Sequence, residues 1–164
     1  MAISSTAKNM RDGSLSIEDG TGSPISMTVQ YEEGNFSGDG FTEGQKEVTV
    51  YPDRGDFMSL RYTNQTYPTF SFEAYLTDLS DATEKTLWDL VNGTGAFAAA
   101  VSTLGASAEV LTYKLTWTVE GTDHGDSADH VLTLDDCRLS IGISEGDPNK
   151  QAISGICYGT VGGS

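Results

Sequence analysis

Residues 123–130 are the one part of the sequence in which potential metal ligands cluster. The carboxylates and imidazoles there could bind a divalent cation; they belong to Asp123, His124, Asp126, Asp129 and His130. An EF-hand is excluded, because no Glu closes the loop at the required position. A polar turn rich in Asp and Gly explains the same residues more simply. The sequence therefore predicts neither a metal site nor a cofactor.

Asp135 and Asp136 are a second candidate, as a carboxylate pair for acid–base chemistry. Adjacent strand residues point to opposite faces of a sheet, so these two carboxylates cannot share a substrate. Both histidines fall in one turn, and no Ser lies in a Gly-x-Ser-x-Gly elbow. No Gly-rich loop leads into Lys-Ser or Lys-Thr for phosphate binding. We therefore expect a protein that is not an enzyme.

The two cysteines, Cys137 and Cys157, each fall in a predicted strand. Residues 1–11 lack the apolar core of a secretory leader, so we expect reduced and buried thiols rather than a disulfide. The spacing of the cysteines from His124 and His130 fits no zinc pattern.

The charge of the chain is strongly negative. Asp and Glu number 24 against 9 Lys and Arg, a formal charge of −15 at pH 7, and the acids are spread from Asp12 to Asp147. Such a field repels nucleic acid and anionic lipid, which excludes a nucleic-acid binder with a basic stripe. It is compatible with a surface along which nucleic acid slides without binding. No apolar run reaches the roughly 20 residues that span a bilayer, so no membrane partner is expected.

Most of the sequence alternates apolar and polar residues, which predicts β-strands with one buried face. The clearest strand covers residues 110–120, and the others cover residues 24–31, 46–51, 56–63, 68–76, 131–143 and 151–161. A change of phase at Asp135-Asp136 predicts a β-bulge. Gly155 and Gly159 predict a close approach to the last strand, for example by a neighbouring subunit.

One segment departs from this pattern and predicts an α-helix over residues 81–91. Asp81 and Glu84 resemble a capping box, Leu87, Trp88, Leu90 and Val91 give an apolar face, and Asn92-Gly93 ends the helix.

The length of 164 residues favours a single domain over residues 1–164. Residues 1–12 form a polar N-terminal arm, and residues 32–45 form a long acidic loop rich in glycine. Loops of that length are usually functional or flexible, so we expect this one to carry contacts between subunits.

The order of these elements resembles the major tail proteins of long-tailed bacteriophages, the subunits of the tail tube. The resemblance is carried by Gly13-Ser14-Leu15-Ser16-Ile17, by residues 68–76 before the helix, by residues 132–143, by Glu145-Gly146-Asp147-Pro148 and by the terminal strand. It implies an antiparallel β-sandwich or partly closed barrel with one flanking helix. It also implies a structural virion protein, made in the host bacterial cytoplasm, that forms hexameric rings stacked into a tail tube.

The same resemblance implies the partners and the positions of the contacts. The partners are other copies of the chain, other tail proteins at the tube ends, and double-stranded DNA that passes without specific binding. The expected inter-subunit residues belong to the long loop: Gly34, Phe36, Gly38, Gly40 and Phe41. An acidic lumen is expected along one of two polar rows, either Glu47, Thr49 and Tyr51 or Lys114, Thr116, Thr118 and Glu120.

Two alternatives stay open. Another virion component, such as a capsid decoration or tail-terminator protein, would share the β-rich style but form a closed oligomer. A carbohydrate-binding β-sandwich would be monomeric and expose an aromatic platform, for which Trp88 and Trp117 are candidates, although the alternation around Trp117 favours core packing.

Overall fold

The computed structural model describes residues 13–29, 35–42, 45–122 and 127–164. Within them the chain forms one short helix, α1 (Leu87–Asn92), and a set of β-strands, so the protein is mainly β as predicted. The strands are β1 (Gly13–Glu18), β2 (Ser26–Val29), β3 (Ser37–Asp39), β4 (Lys46–Asp53), β5 (Asp56–Gln65), β6 (Thr69–Tyr75), β7 (Tyr113–Val119), β8 (His130–Ser144), β9 (Lys150–Cys157) and β10 (Val161–Gly163).

Eight of the strands make one antiparallel sheet in the order β2-β1-β7-β8-β9-β6-β3, with β10 paired to β8. β4 and β5 form a separate two-stranded hairpin. The two terminal strands of the large sheet, β2 and β3, do not pair with each other, so the sheet is not closed into a barrel.

The large sheet folds back over its own core. The ring of Phe36 stacks on Phe70 of β6 at a centroid distance of 6.1 Å and on Trp117 of β7 at 5.4 Å. β8 and β9 separate those two strands, which would place them about 14 Å apart in a flat sheet. One ring can contact both only because the two halves of the sheet face each other, which gives the expected sandwich.

Alternation along the strands builds the core. In β6, Phe70, Phe72 and Ala74 are buried while the residues between them are exposed. Each fully buried side chain of the size of Phe or Leu contributes roughly 1.5–3 kcal/mol. The inward-facing residues of the other strands join the same cluster: Leu15, Ile17, Tyr113, Leu115, Leu134, Cys137, Leu139, Ile153 and Cys157.

The predicted bulge lies in β8. Tyr113 pairs with Cys137 and Leu115 pairs with Leu134, so Asp135 and Asp136 together oppose a single residue of β7. Asp136 takes the left-handed conformation, with φ of 53°. From Cys137 onward β8 continues along β9, so the bulge is the point at which one strand passes between two halves of the sheet.

The end of the chain differs from the prediction of one strand over residues 151–161. β9 ends at Cys157 and β10 begins at Val161, because the connecting residues face the bulge of β8: the Gly159 N–H donates to the Asp135 carbonyl at 3.1 Å. The predicted close approach at Gly155 is confirmed, but it comes from the same chain. A Cβ at Gly155 would lie 2.2 Å from the Phe70 ring.

The helix begins later than predicted. Thr86 is its N-cap, with its Oγ1 accepting from the Asp89 N–H at 3.2 Å, and Gly93 ends it in the left-handed conformation at φ of 64°. Asp81 does accept the N–H groups of Thr83 and Glu84, at 2.6 and 2.9 Å. Those bonds close a turn rather than a helix, because residues 80 and 81 are bound instead to the buried Asp89.

Candidate assembly surfaces

The β4–β5 hairpin exposes a row of large apolar side chains. Val48 pairs with Tyr62 and Val50 pairs with Leu60, so these four residues share one face of the hairpin. Each is more than half exposed, from 55% for the valines to 59% for Tyr62. We call this surface the apolar hairpin face. Phe57 and Met58, both 69% exposed, extend the apolar surface toward the tip of the hairpin.

The opposite face of the hairpin is polar. Thr49 and Thr63 hydroxyls lie 3.3 Å apart, and the guanidinium of Arg61 lies 5.7 Å from the centre of the Tyr51 ring. Glu47 accepts from the Asn64 amide at 3.2 Å. The predicted lumen residues Glu47 and Thr49 are therefore engaged in cross-strand contacts within the hairpin.

The second half of β8 has an open edge. β7 pairs with β8 only as far as Cys137, and no strand among the described residues pairs with residues 138–144 on the side away from β9. The Cys157 N–H donates to the Pro68 carbonyl at 2.8 Å, so the backbone of Cys157 points toward β6 and not toward β8. Antiparallel pairing alternates, so the N–H groups of Leu139, Ile141 and Ile143 point to the open side.

The other end of this half-sheet is better protected. β3 covers β6 at residues 69–71, and the Asn35 side-chain oxygen accepts from the Glu73 N–H at 3.1 Å. This half-sheet thus ends in the short strand β3 on one side and in the long open edge of β8 on the other.

The exposed face of β3, β6, β9 and the second half of β8 is lined mainly by small and hydroxyl side chains. Cross-strand register places Ser71, Ser154 and Ser140 in one row at its centre. We call this surface the hydroxyl face; its members are Ser37, Asp39, Thr69, Ser71, Glu73, Tyr75, Lys150, Ala152, Ser154, Ile156, Arg138, Ser140, Gly142 and Ser144.

The charges of the hydroxyl face are balanced. Asp39 and Glu73 are opposed by Arg138 and Lys150, and the Lys150 ammonium lies 4.0 Å from Glu73. The large negative charge of the chain is therefore carried by other surfaces.

The second predicted lumen row belongs to the other half of the sheet. Lys114, Thr116 and Thr118 lie on β7, on the face opposite to the core, and Glu120 follows the end of that strand. Thr116 lies between Ser16 of β1 and Thr133 of β8. The two alternative rows therefore lie in two different sheets.

The long-loop residues predicted to contact neighbouring subunits differ in position and in exposure. Gly34 lies outside the described residues. Phe36 is 6% exposed and belongs to the core. Gly38 and Gly40 lie in and just after β3, and the half-exposed Phe41 ring folds over Gly38. The segment is thus not wholly without structure, since it supplies the edge strand β3.

The predicted polar turn before β8 is only partly within the described residues, since residues 123–126 lie outside them. The Asp129 carboxylate accepts from the N–H groups of Gly121 and Thr122, at 3.0 and 3.2 Å, and these bonds lower its pKa. Asp129 therefore closes the turn. Within the described ranges no group of three or more His, Cys, Asp or Glu side chains is arranged to hold a metal ion.

A buried carboxylate, which the alternation pattern does not reveal, organises the region around α1. Asp89 has no exposed surface and accepts from the Ser80, Thr86 and Thr94 hydroxyls, at 2.7, 3.1 and 2.6 Å, and from the Asp81 N–H at 2.9 Å. Burial alone would raise the pKa of Asp89, but these hydrogen bonds outweigh it and hold the pKa below its usual value. This network is structural and lies apart from the assembly surfaces.

Comparison with known proteins gives a fold and no sequence family. No family model and no curated protein matches the chain. Among solved structures, one match is a chain of the PVC sheath–tube complex in its extended state; PVC is an extracellular contractile injection system. The match has a TM-score of 0.62 and 9% identity, and it covers 98% of this chain and 93% of that one. A chain of the PVC sheath/tube terminator in the extended state matches with a TM-score of 0.60 and 12% identity, covering 99% of both chains.

A third match, from the tube-terminating cap of the anti-feeding prophage, has a TM-score of 0.58 and 10% identity, and covers 100% of this chain and 94% of that one. The chain therefore shares its fold, over its whole length, with chains found in contractile injection systems. No helix in the described part of the chain is long and apolar enough to cross a membrane.

Proposed function

We propose that this protein is a tube subunit of a tail or tail-like injection assembly, and that it forms rings which stack into a hollow tube. Its partners are other copies of the chain and the proteins that close the ends of the tube. The role is structural, without catalytic residues or a cofactor. The resemblance to phage tail-tube subunits and the fold shared with injection-system components support the same role.

The β4–β5 hairpin carries this proposal. Its apolar face has four large side chains that are each more than half exposed, although apolar surface of this kind is normally buried. An isolated two-stranded hairpin is marginally stable in water. A second copy of the chain that covers the apolar hairpin face would bury that surface and hold the hairpin in place.

The open edge of β8 supports a second kind of contact. Unpaired strand edges recruit further strands, and soluble proteins normally protect them. Since β3 ends the same half-sheet on the other side, joining the β8 edge of one copy to the β3 edge of the next continues the sheet from subunit to subunit. Such head-to-tail contacts close into rings or grow into filaments.

The hydroxyl face would then line the channel. Its small side chains leave space, and its balanced charges include no continuous positive strip that would retain nucleic acid through counterion release. Double-stranded DNA is the proposed cargo of a phage tail, and it would pass this wall without specific binding.

Negative-stain electron microscopy of the purified protein, together with sedimentation velocity at several concentrations, tests the proposal. Long hollow tubes, or rings that stack as the concentration rises, are expected. Rings that never stack would favour a tube-terminating role, which the fold shared with the PVC terminator complex also allows. A strictly monomeric protein at high concentration would contradict both roles.

A further inference from the structure

Cys137 and Cys157 lie directly opposite each other on β8 and β9. Both are fully buried, as the sequence predicted, and their sulfur atoms are not bonded to each other. Paired residues of neighbouring strands project to the same side of a sheet, so the two thiols share the core face.

The backbone hydrogen bonds around Cys157 show whether the two cysteines form a hydrogen-bonded or a non-hydrogen-bonded antiparallel pair. The Cys157 N–H points to Pro68, just before β6, whereas the next N–H, of Tyr158, donates to the Asp136 carbonyl of β8 at 3.2 Å. Cys137 and Cys157 are therefore a non-hydrogen-bonded pair, the closer of the two antiparallel types, with Cα atoms about 4.5 Å apart. Disulfides form at Cα separations of roughly 4.4–6.8 Å, and this pair falls at the short end of that range.

The thiols are also protected from reaction while the core is closed. The hydrogen bond between the two thiols raises the pKa of Cys137 and lowers the pKa of Cys157, so it is burial in the core that keeps both thiols from reacting. The Cys157 Sγ lies 3.1 Å from the Asp135 carbonyl oxygen of the bulge. The pair is thus close enough to bond but reacts only with a small oxidant that enters when the core opens locally.

We propose that Cys137 and Cys157 form an oxidation site that closes to an intrachain disulfide, with a small peroxide as the oxidant. One thiol ionises and attacks a peroxide oxygen; the O–O bond breaks, water leaves, and a sulfenic acid forms. The second thiol attacks the sulfenic sulfur, the S–O bond breaks, and a second water leaves. One hydrogen peroxide is reduced to two waters while two thiols are oxidised to one disulfide.

The position of the bond gives it a structural effect. It would join β8 to β9 immediately after the bulge, where β8 passes from one half of the sheet to the other. A crosslink between residues 137 and 157 also restricts the unfolded chain, which raises stability. The disulfide is therefore expected to fix the junction of β8 and β9 beside the bulge.

The reduced full-length protein is treated with hydrogen peroxide in increasing urea below the unfolding transition, and its intact mass is followed. The expected product loses two hydrogen atoms, gains no oxygen, stays monomeric on a non-reducing gel, and unfolds at a higher urea concentration than the reduced protein. Added reductant reverses the shift. The wild-type chain provides both states, so the test does not depend on a variant that folds.

Cys137→Ala and Cys157→Ala, where they fold, serve as matched controls and should show no loss of two hydrogens. Three results would overturn the proposal: oxygen addition at both thiols without a disulfide, crosslinking between chains instead of within one, or no reaction over the whole range of urea in which the protein is folded.

Discussion

The buried Asp89 carboxylate is expected to be sensitive to substitution. Its carboxylate receives one N–H and three hydroxyl groups and has no contact with solvent. We expect Asp89→Asn to lower the free energy of unfolding by about 1–3 kcal/mol, because an amide accepts fewer of these hydrogen bonds and brings its own donors into the site. Urea unfolding measures the change. The exposed Asp78→Asn is the control, and an equal effect of both variants would contradict the assigned role.

Acid should destabilise the fold through three carboxylates, two in the region around Asp89 and one in the turn before β8. Hydrogen bonds from the N–H groups of Glu84 and Thr83 hold the pKa of Asp81 at about 2, and hydrogen bonds also depress the pKa values of Asp89 and Asp129. A depressed folded-state pKa contributes stability that is present above the unfolded value, about 3.9, and is lost as pH falls through the folded value. The urea midpoint should therefore decrease from about pH 5 to about pH 2. In Asp89→Asn the urea midpoint should decrease less over this pH range. A decrease as large as in the wild type would show that Asp89 does not contribute to the acid sensitivity.

At the scale of elements, the hairpin should be needed for assembly but not for folding. Leu60→Asp places a carboxylate on the apolar hairpin face and should abolish stacking, since the charge would have to be buried between copies. Thr63→Asp adds the same charge to the same strand on the polar face, and should retain assembly. Both variants should unfold at the wild-type urea concentration. Sedimentation velocity and electron microscopy distinguish them, and tubes formed by Leu60→Asp would show that the hairpin is not a contact surface.

The open edge of β8 allows an equally direct test. The Ile143 N–H points away from β9, so Ile143→Pro removes a donor that is unused within the subunit. We expect a folded subunit that no longer forms rings. Gly142→Pro removes a donor that faces β9 and should instead destabilise the subunit itself. Rings formed normally by Ile143→Pro would mean that this edge is not joined to a neighbour.

Alternation predicted most of the strands and the bulge, because both depend on which side chains face the core. It did not predict the late start of α1, since the decisive partner of residues 80 and 81 is Asp89, eight residues further along the chain. It also did not predict that β4 and β5 stand apart from the sheet. Their sequences alternate as a half-buried strand does, and nothing in that pattern states whether the apolar side meets the same chain or another copy.

The hydroxyl face was missed for a related reason. Its members come from four strands that are distant in sequence, and only the pairing order brings Ser71, Ser154 and Ser140 into one row. The sequence did indicate polar rows on β4 and β7, but it contained no information on how strands from different segments combine.

At the scale of the whole molecule, labelling of introduced cysteines with maleimides can show which surface of the subunit lines the channel. Ser154→Cys on the hydroxyl face and Thr118→Cys on β7 should both react with a small maleimide, over a low background because the native cysteines are buried. In assembled tubes, Ser154→Cys should still react with the small reagent but resist a maleimide attached to a large polymer. Thr118→Cys should remain open to both reagents. The reverse result would move the channel to the β7 row.

The length of β8 has a consequence for how the subunit carries force. Its 15 residues run without interruption from the half of the sheet that contains β7 to the half that contains the open edge. A pull between the two halves would therefore be transmitted along covalent bonds of one backbone. The ladders to β7 and β9 would be loaded along the strand direction, so that many hydrogen bonds resist together instead of opening one after another. In a tube built from such subunits, tension on the wall would act equally on β8 and on the contacts between subunits, so the non-covalent contacts would open before the subunit is pulled apart.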